Sequence, residues 1–390
     1  MKEMKPKHNY RIKHSLTCSM LLAAAACLTI TSCIYETEPE PAPSGHLLFV
    51  YLGGDNNLST ESYEKLEALR LGWQTTAADT HLLVYHDAAG AHAHLVEIRS
   101  GEGGTARIDH LQLYGDENSA TGAALSRAVK DARSRYPSAT CGLLVFSHGT
   151  GWLPASGGSG ASTTETRTIV VDGNHEMPLT EFAEALPAGV FDYIVFEACF
   201  MAGIEVAYEL RSKTPYLLAS SAEIVSPGFT DIYPHSLHYL TEGRLEEFGN
   251  VCFKHFAGQE DAMMRSFTMS LIKTSGLEAL QRLISRNTEP VVHAADDPLI
   301  ASVQPFDRYV THLFYDFEDY YSRMLPDDEK RGELSALIDD CIVWKASTES
   351  FLTNLNGFDI RRHSGMTTYI RQDIYPALNS AYGELSWNND

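Results

Sequence analysis

Apolar residues in the first half of the chain fall into short blocks divided by glycine-rich turns. Leu47-Leu48-Phe49-Val50-Tyr51-Leu52 is an unbroken run that stops at Gly53-Gly54-Asp55. That pattern predicts a strand buried on both faces. Helical spacing follows from Ser59 to Leu71, with Ser59 as N-cap and Glu61 in the first turn. Strands are predicted at His81–His86, Ala93–Arg99 and Arg107–Leu113, the last two joined by a glycine turn. Thr121 to Arg135 reads as a helix halted by Pro137. The alternation continues with strands at Cys141–Phe146, Tyr193–Phe196 and Tyr216–Ala219, and helices at Leu179–Leu186 and Met201–Arg211. Beyond Thr230 the pattern is mostly helical, near Leu245–Phe256, Leu277–Ser285, Arg308–Tyr321 and Asp328–Trp344.

Strands alternating with helices imply an α/β fold: a mainly parallel sheet flanked by helices, with a largely helical C-terminal portion. In such sheets ligands bind beyond the carboxyl ends of the strands. Residues 46–240 are expected to form the core of the α/β domain, and 241–390 a helical region completing the same unit. Ser156–Thr166 is a low-complexity stretch and reads as a loop.

The first residues follow another pattern. Lys2, Lys5, Lys7, Arg11 and Lys13 precede an apolar run from Leu16 to Ile30, which ends in Ile30-Thr31-Ser32-Cys33. This resembles a bacterial lipoprotein signal peptide over residues 1–32, with Cys33 as the acylated first residue of the mature chain. Residues 33–45 then form a lipidated tether that includes the acidic, proline-rich ETEPEPAP. The expected location is exported, at the outer membrane or cell surface, held to the membrane through lipid on Cys33.

Composition is that of an ordinary globular protein, with 44% hydrophobic and 21% charged residues. The basic leader carries +4 of the net charge of -21, so the rest of the chain carries -25, which would repel polyanions such as nucleic acid, and no nucleic-acid partner is expected. Seven cysteines are present, but Cys18, Cys27 and Cys33 belong to the leader and its end. Cys141, Cys199, Cys252 and Cys341 remain, too widely spaced for a zinc site or a disulfide framework.

One of these cysteines has the surroundings of a nucleophile. Cys199 follows the strand Tyr193–Phe196 and opens the next predicted helix, near the positive end of its dipole. His148 follows the strand Leu143–Phe146 and is followed by Gly149 and Gly151, which permit close approach of a substrate. The two are 51 residues apart, as in the caspase arrangement. Neighbouring parallel strands would bring them to one edge. His86, Asp87, His92 and His94 lack the geometry of a metal site, and Gly101-x-Gly103 leads into a strand rather than a nucleotide-binding helix.

Four ordered blocks carry a specific resemblance: LLFVYLGGDNNLS, LLVFSHGTGW, FEACFMAGIEVAYEL and YLLASSAEIVSPGF. Together with the tail HSGMTTYI and YPALNSAYGELSW, they resemble the clostripain family of cysteine peptidases. The resemblance implies a caspase-like fold and a Cys199–His148 dyad, with the backbone N–H groups of Gly149 and Cys199 as oxyanion donors. It implies that Asp55 and Asn56 shape the edge of the substrate site. Family members that cut after arginine have aspartate two residues before the nucleophile, where this chain has Glu197, and Glu223 offers a second acidic group. Clostripain itself is associated with calcium, but no ligand cluster in the sequence matches it, so no cofactor or metal is expected and calcium stays an alternative the sequence does not support.

The function expected is therefore endopeptidase action on peptide or protein substrates through a thioester acyl-enzyme, with basic residues as one candidate specificity. Arg167 is a candidate processing site, and a monomer is expected. The alternatives are a non-catalytic surface lipoprotein that binds peptides or glycans, and a transpeptidase.

Overall fold

The apolar run at residues 47–52 forms the middle of β1 (His46–Gly54), an interior strand of a nine-stranded sheet. The computed structural model describes residues 45–73, 79–101, 104–137, 139–154 and 169–389. After β1 come α1 (Ser59–Gly72), β2 (Thr80–Ala88), β3 (Ala93–Ser100), β4 (Ala106–Gly115), α2 (Gly122–Arg135) and β5 (Thr140–Phe146). A hairpin of β6 (Val170–Asp172) and β7 (His175–Met177) leads to α3 (Leu179–Ala185), β8 (Tyr193–Glu197), α4 (Ile204–Glu209) and β9 (Tyr216–Ala219). Next are α5 (Tyr233–Thr241), α6 (Leu245–Ala257), β10 (Thr268–Lys273), α7 (Leu277–Asn287) and α8 (Pro298–Ser302). Finally come β11 (Tyr315–Asp316), α9 (Phe317–Met324), α10 (Asp328–Cys341) and β12 (Ile342–Ser347), followed by short elements.

The sheet order is β12-β10-β9-β8-β5-β1-β2-β3-β4. Its middle, from β9 to β2, is parallel, and an antiparallel pair extends each side. Alternate side chains of the parallel strands enter different cores. Leu47, Phe49, Tyr51, Leu143 and Val145 join one, while Leu48, Val50, Leu52, Leu144 and Phe146 join the other. Covering both faces explains why these strands are apolar throughout rather than alternating. Each fully buried aliphatic or aromatic side chain contributes about 1.5–3 kcal/mol, which fixes the strand ends on which the site is built.

The largely helical C-terminal portion also adds β10 and β12 to the same sheet. One expectation needs correction. The helix expected over Arg308–Tyr321 starts only at Phe317. The Asp307 carboxylate instead takes the N–H groups of Tyr309, Leu313 and Phe314, holding residues 308–314 as a loop. Such local carboxylate bonds compete with helix formation.

Cys33, the leader and Arg167 lie outside the described residues. No helix among the described residues is long and apolar enough to cross a membrane.

Candidate active site

β5 and β8 are parallel neighbours, with Phe146 opposite Glu197. His148 and Cys199 therefore stand the same distance beyond two adjacent strand ends, at the carboxyl edge of the sheet. The chain crosses this edge very closely at Gly149. A Cβ there would lie 2.7 Å from the Cys199 carbonyl oxygen and 3.1 Å from its backbone nitrogen. Only glycine leaves room for that approach. His148 and Cys199 line the same cleft, whose volume is about 380 Å³.

The imidazole is oriented from α1's side of the site. His148 Nε2 lies 2.5 Å from Asn57 Oδ1. An amide oxygen only accepts, so Nε2 carries the proton and Nδ1 is the basic nitrogen. The Cys199 sulfur accepts the Ile224 N–H at 3.3 Å. Of the described cysteines, Cys199 alone is partly exposed; Cys141, Cys252 and Cys341 are buried. Burial pushes the Cys141 thiol up to about 12 and Cys341 up to about 11, which suits inert core sulfurs.

A sharp bend presents the sulfur. Phe200 has φ 61°, a left-handed conformation unusual for an aromatic residue. Its N–H donates to Ala222 O at 2.9 Å, and its ring stacks on Phe314 at 4.4 Å. The helix expected from Met201 begins at Ile204 and ends at Glu209. Helix-dipole effects fade within the first turn, so the dipole reading of Cys199 is corrected: its surroundings come from the bend and the Ile224 N–H.

Asp55 and Asn56 are brought beside the site but do not line the cleft. Asn56 Nδ2 donates to Val171 O at 2.6 Å and Gly53 O at 3.2 Å, tying the β1 turn to the β6–β7 hairpin. Asp55 gathers with Asp87 and Asp172, their ligand atoms all within 4.8 Å. Burial, then the neighbouring Asp172 and Asp55 carboxylates, push Asp87 up to about 7, and its buried Oδ2 finds no hydrogen bond. These carboxylates have the oxygen donors that a hard cation such as calcium takes, and would join the hairpin to the sheet through it.

The acidic residues offered for substrate recognition both line the cleft, and both are engaged. Glu197 Oε1 accepts from Lys65 Nζ at 2.6 Å and from the Phe229 N–H at 2.5 Å, while Oε2 accepts the Tyr233 hydroxyl at 2.6 Å. Burial raises the Glu197 carboxyl, and the Lys65 ammonium opposes that shift. Lys65 is wholly buried and also donates to Pro227 O and Thr230 Oγ1, each at 2.9 Å. Glu223 Oε1 takes two bonds from Arg308, at 2.9 and 2.7 Å. Sequence reasoning missed Asn57, Lys65 and Arg308. Asn57 directly follows the turn already singled out. Lys65 sits on the buried face of α1 with Leu66 and Leu69, and a lysine in that company was the available signal.

The clostripain family pattern matches residues 50–358. A C11 protease from Parabacteroides distasonis, solved as an inactive zymogen, is 25% identical, with TM-score 0.76 over 90% of this chain and 98% of that one. The secreted C11 cysteine protease iotapain from Bacteroides thetaiotaomicron is 22% identical, with TM-score 0.75 over 90% of this chain and 99% of that one. A B. thetaiotaomicron secreted C11 protease in complex with an irreversible peptide inhibitor gives 22% identity and TM-score 0.75, over 89% and 98%. No curated protein matches this chain. The fold is that of the C11 proteases, and this chain belongs to the clostripain family of cysteine peptidases.

Proposed function

We propose that the chain is an exported endopeptidase that cleaves peptide bonds with Cys199 as nucleophile and His148 as its base. The observation that carries this reading is the close passage of His148-Gly149 over Cys199 at the mouth of one cleft. His148 Nδ1 takes the thiol proton, and the Cys199 sulfur attacks the substrate carbonyl. The backbone N–H groups of Gly149 and Cys199 receive the charge that develops on the carbonyl oxygen. The imidazolium then protonates the leaving amine, producing a thioester and a free amino terminus. Water, deprotonated by His148, hydrolyses the thioester and restores the thiol. These steps use only side chains, backbone and water.

Export and anchoring rest on the leader and Cys33, and on the secreted relative in B. thetaiotaomicron. The peptide inhibitor held by a neighbouring structure supports a peptide substrate. Processing at Arg167 remains part of this reading, since that basic residue follows a run rich in serine, glycine and threonine.

Intact-mass analysis after a rapid acid quench of a peptide ester digest tests the chemistry. A mass increase equal to the acyl fragment, mapped to Cys199 and lost in Cys199→Ala, supports the acyl-enzyme. An acyl fragment on another residue contradicts it.

A further inference from the structure

The cleft beside Cys199 holds three carboxylates, and cations of this chain already engage them all. Glu197 lies two residues before the nucleophile, and both of its oxygens are occupied by Lys65, the Phe229 N–H and the Tyr233 hydroxyl. Glu61 shares the same ammonium at 3.3 Å and accepts the Ser226 hydroxyl at 2.8 Å. Glu223 is matched by Arg308, whose Nη1 also donates to Leu355 O at 2.9 Å. The remaining oxygen of Glu223, Oε2, is buried and accepts no hydrogen bond, so Arg308 alone balances this carboxylate.

Lys65 is the central feature. Its ammonium donates to Glu197, Pro227 and Thr230, so none of its protons is left for a visitor. It also lies 4.5 Å from the centre of the Phe146 ring, another residue of the cleft wall. A substrate lysine or arginine entering here would add a second cation beside Lys65 without gaining a new carboxylate. Burying a charge without a partner is unfavourable. Most of the remaining lining is apolar, with Leu58, Ala198, Ile224, Val225, Met263 and Leu352, and the hydroxyls of Ser147 and Ser226 already donate within the chain.

We infer that Lys65 is a specificity-determining residue, which neutralises the acidic floor of the cleft so that the enzyme cuts after a medium-sized apolar residue such as leucine or methionine, not after arginine or lysine. This rests on the peptidase reading above. Lys65 acts through Glu197 and is a positioning residue, not one that touches the reacting atoms.

The test uses the full chain and fluorogenic peptides that differ only in the residue before the scissile bond: leucine, methionine, glutamine, lysine or arginine. A parallel set with Cys199→Ala fixes the background. We expect kcat/KM for leucine or methionine to exceed that for arginine and lysine by on the order of tenfold or more. Cys199-dependent cleavage that favours arginine or lysine overturns the inference and leaves the peptidase reading standing. Cleavage that is unchanged in Cys199→Ala overturns both.

Lys65→Met should leave Glu197 without its internal cation, so that a substrate guanidinium can become its ionic partner, and raise the arginine-to-leucine ratio of kcat/KM. An unchanged ratio in folded Lys65→Met removes Lys65 from the account. Where that variant does not fold, Lys65→Met with Glu197→Gln keeps the floor neutral and is expected to retain the preference for leucine. A preference for arginine in the double variant contradicts the inference.

Discussion

Gly149 and Cys199 meet backbone to backbone, so closely that a methyl group on Gly149 would lie 2.7 Å from the Cys199 carbonyl oxygen. The contact joins the residue after the proposed base to the proposed nucleophile. Neither strand can move at this edge without changing the geometry of the pair.

Gly149→Ala therefore forces the two segments apart by a few tenths of an ångström or more. Small displacements of reacting groups are costly, so kcat should fall on the order of a hundredfold. Stability should fall as well, because Gly149 is buried and the added Cβ would also meet the core methyl of Ala198 at 2.9 Å. Paired kinetics and thermal melts check this; full activity in a folded Gly149→Ala protein would contradict the contact.

Asn57 is expected to work through His148. Asn57→Ala loses the acceptor for Nε2, and kcat should drop on the order of tenfold with KM nearly constant. Asn57→Asp keeps the acceptor but adds a negative charge that favours the imidazolium. Its acidic limb of kcat/KM should move to higher pH. Superimposable pH profiles for wild type and Asn57→Asp would remove Asn57 from the site.

At Phe200 the usual ranking of alanine and glycine should reverse. Both variants lose the ring that stacks on Phe314, at a cost of about 3–5 kcal/mol. Alanine keeps the strain of φ 61°, whereas glycine adopts that conformation freely. Phe200→Gly should thus be more stable than Phe200→Ala by roughly 1 kcal/mol in urea unfolding. The opposite order would show that Phe200 leaves the left-handed region.

The strand ends that carry the candidate site were legible because residues 141–146 and 193–196 are buried on both faces and so are apolar almost without interruption. His148 and Cys199 were legible as local motifs on those ends. The roles of Lys65 and Arg308 were not, since their partners Glu197 and Glu223 lie 132 and 85 residues away in sequence. β10 was hidden by Thr268 and Ser270, polar residues that are nonetheless buried. β12 follows α10 with no glycine or proline between them, so the helical reading ran on through it. A helix in place of residues 308–314 was expected because the pattern does not reveal that the Asp307 carboxylate gathers three backbone N–H groups.

Asp87 makes stability depend on pH in a defined direction. Its carboxyl, held up at about 7 by burial and its acidic neighbours, keeps its proton in the folded chain while the unfolded chain loses it near its ordinary value of 3.8. Stability from this group is fully present below about pH 4 and is lost as pH rises toward 7. In chelator-treated buffer, Asp87→Asn should raise Tm more at pH 7 than at pH 4. An equal change at both values would contradict the shift.

The central claim is that one sulfur and one imidazole at adjoining strand ends perform the hydrolysis. It is tested most directly by kcat/KM for a cleavable peptide in wild type, Cys199→Ala and His148→Ala. The account expects each variant to lose on the order of a thousandfold or more while melting like the wild type. Either variant cleaving at the wild-type rate would contradict it.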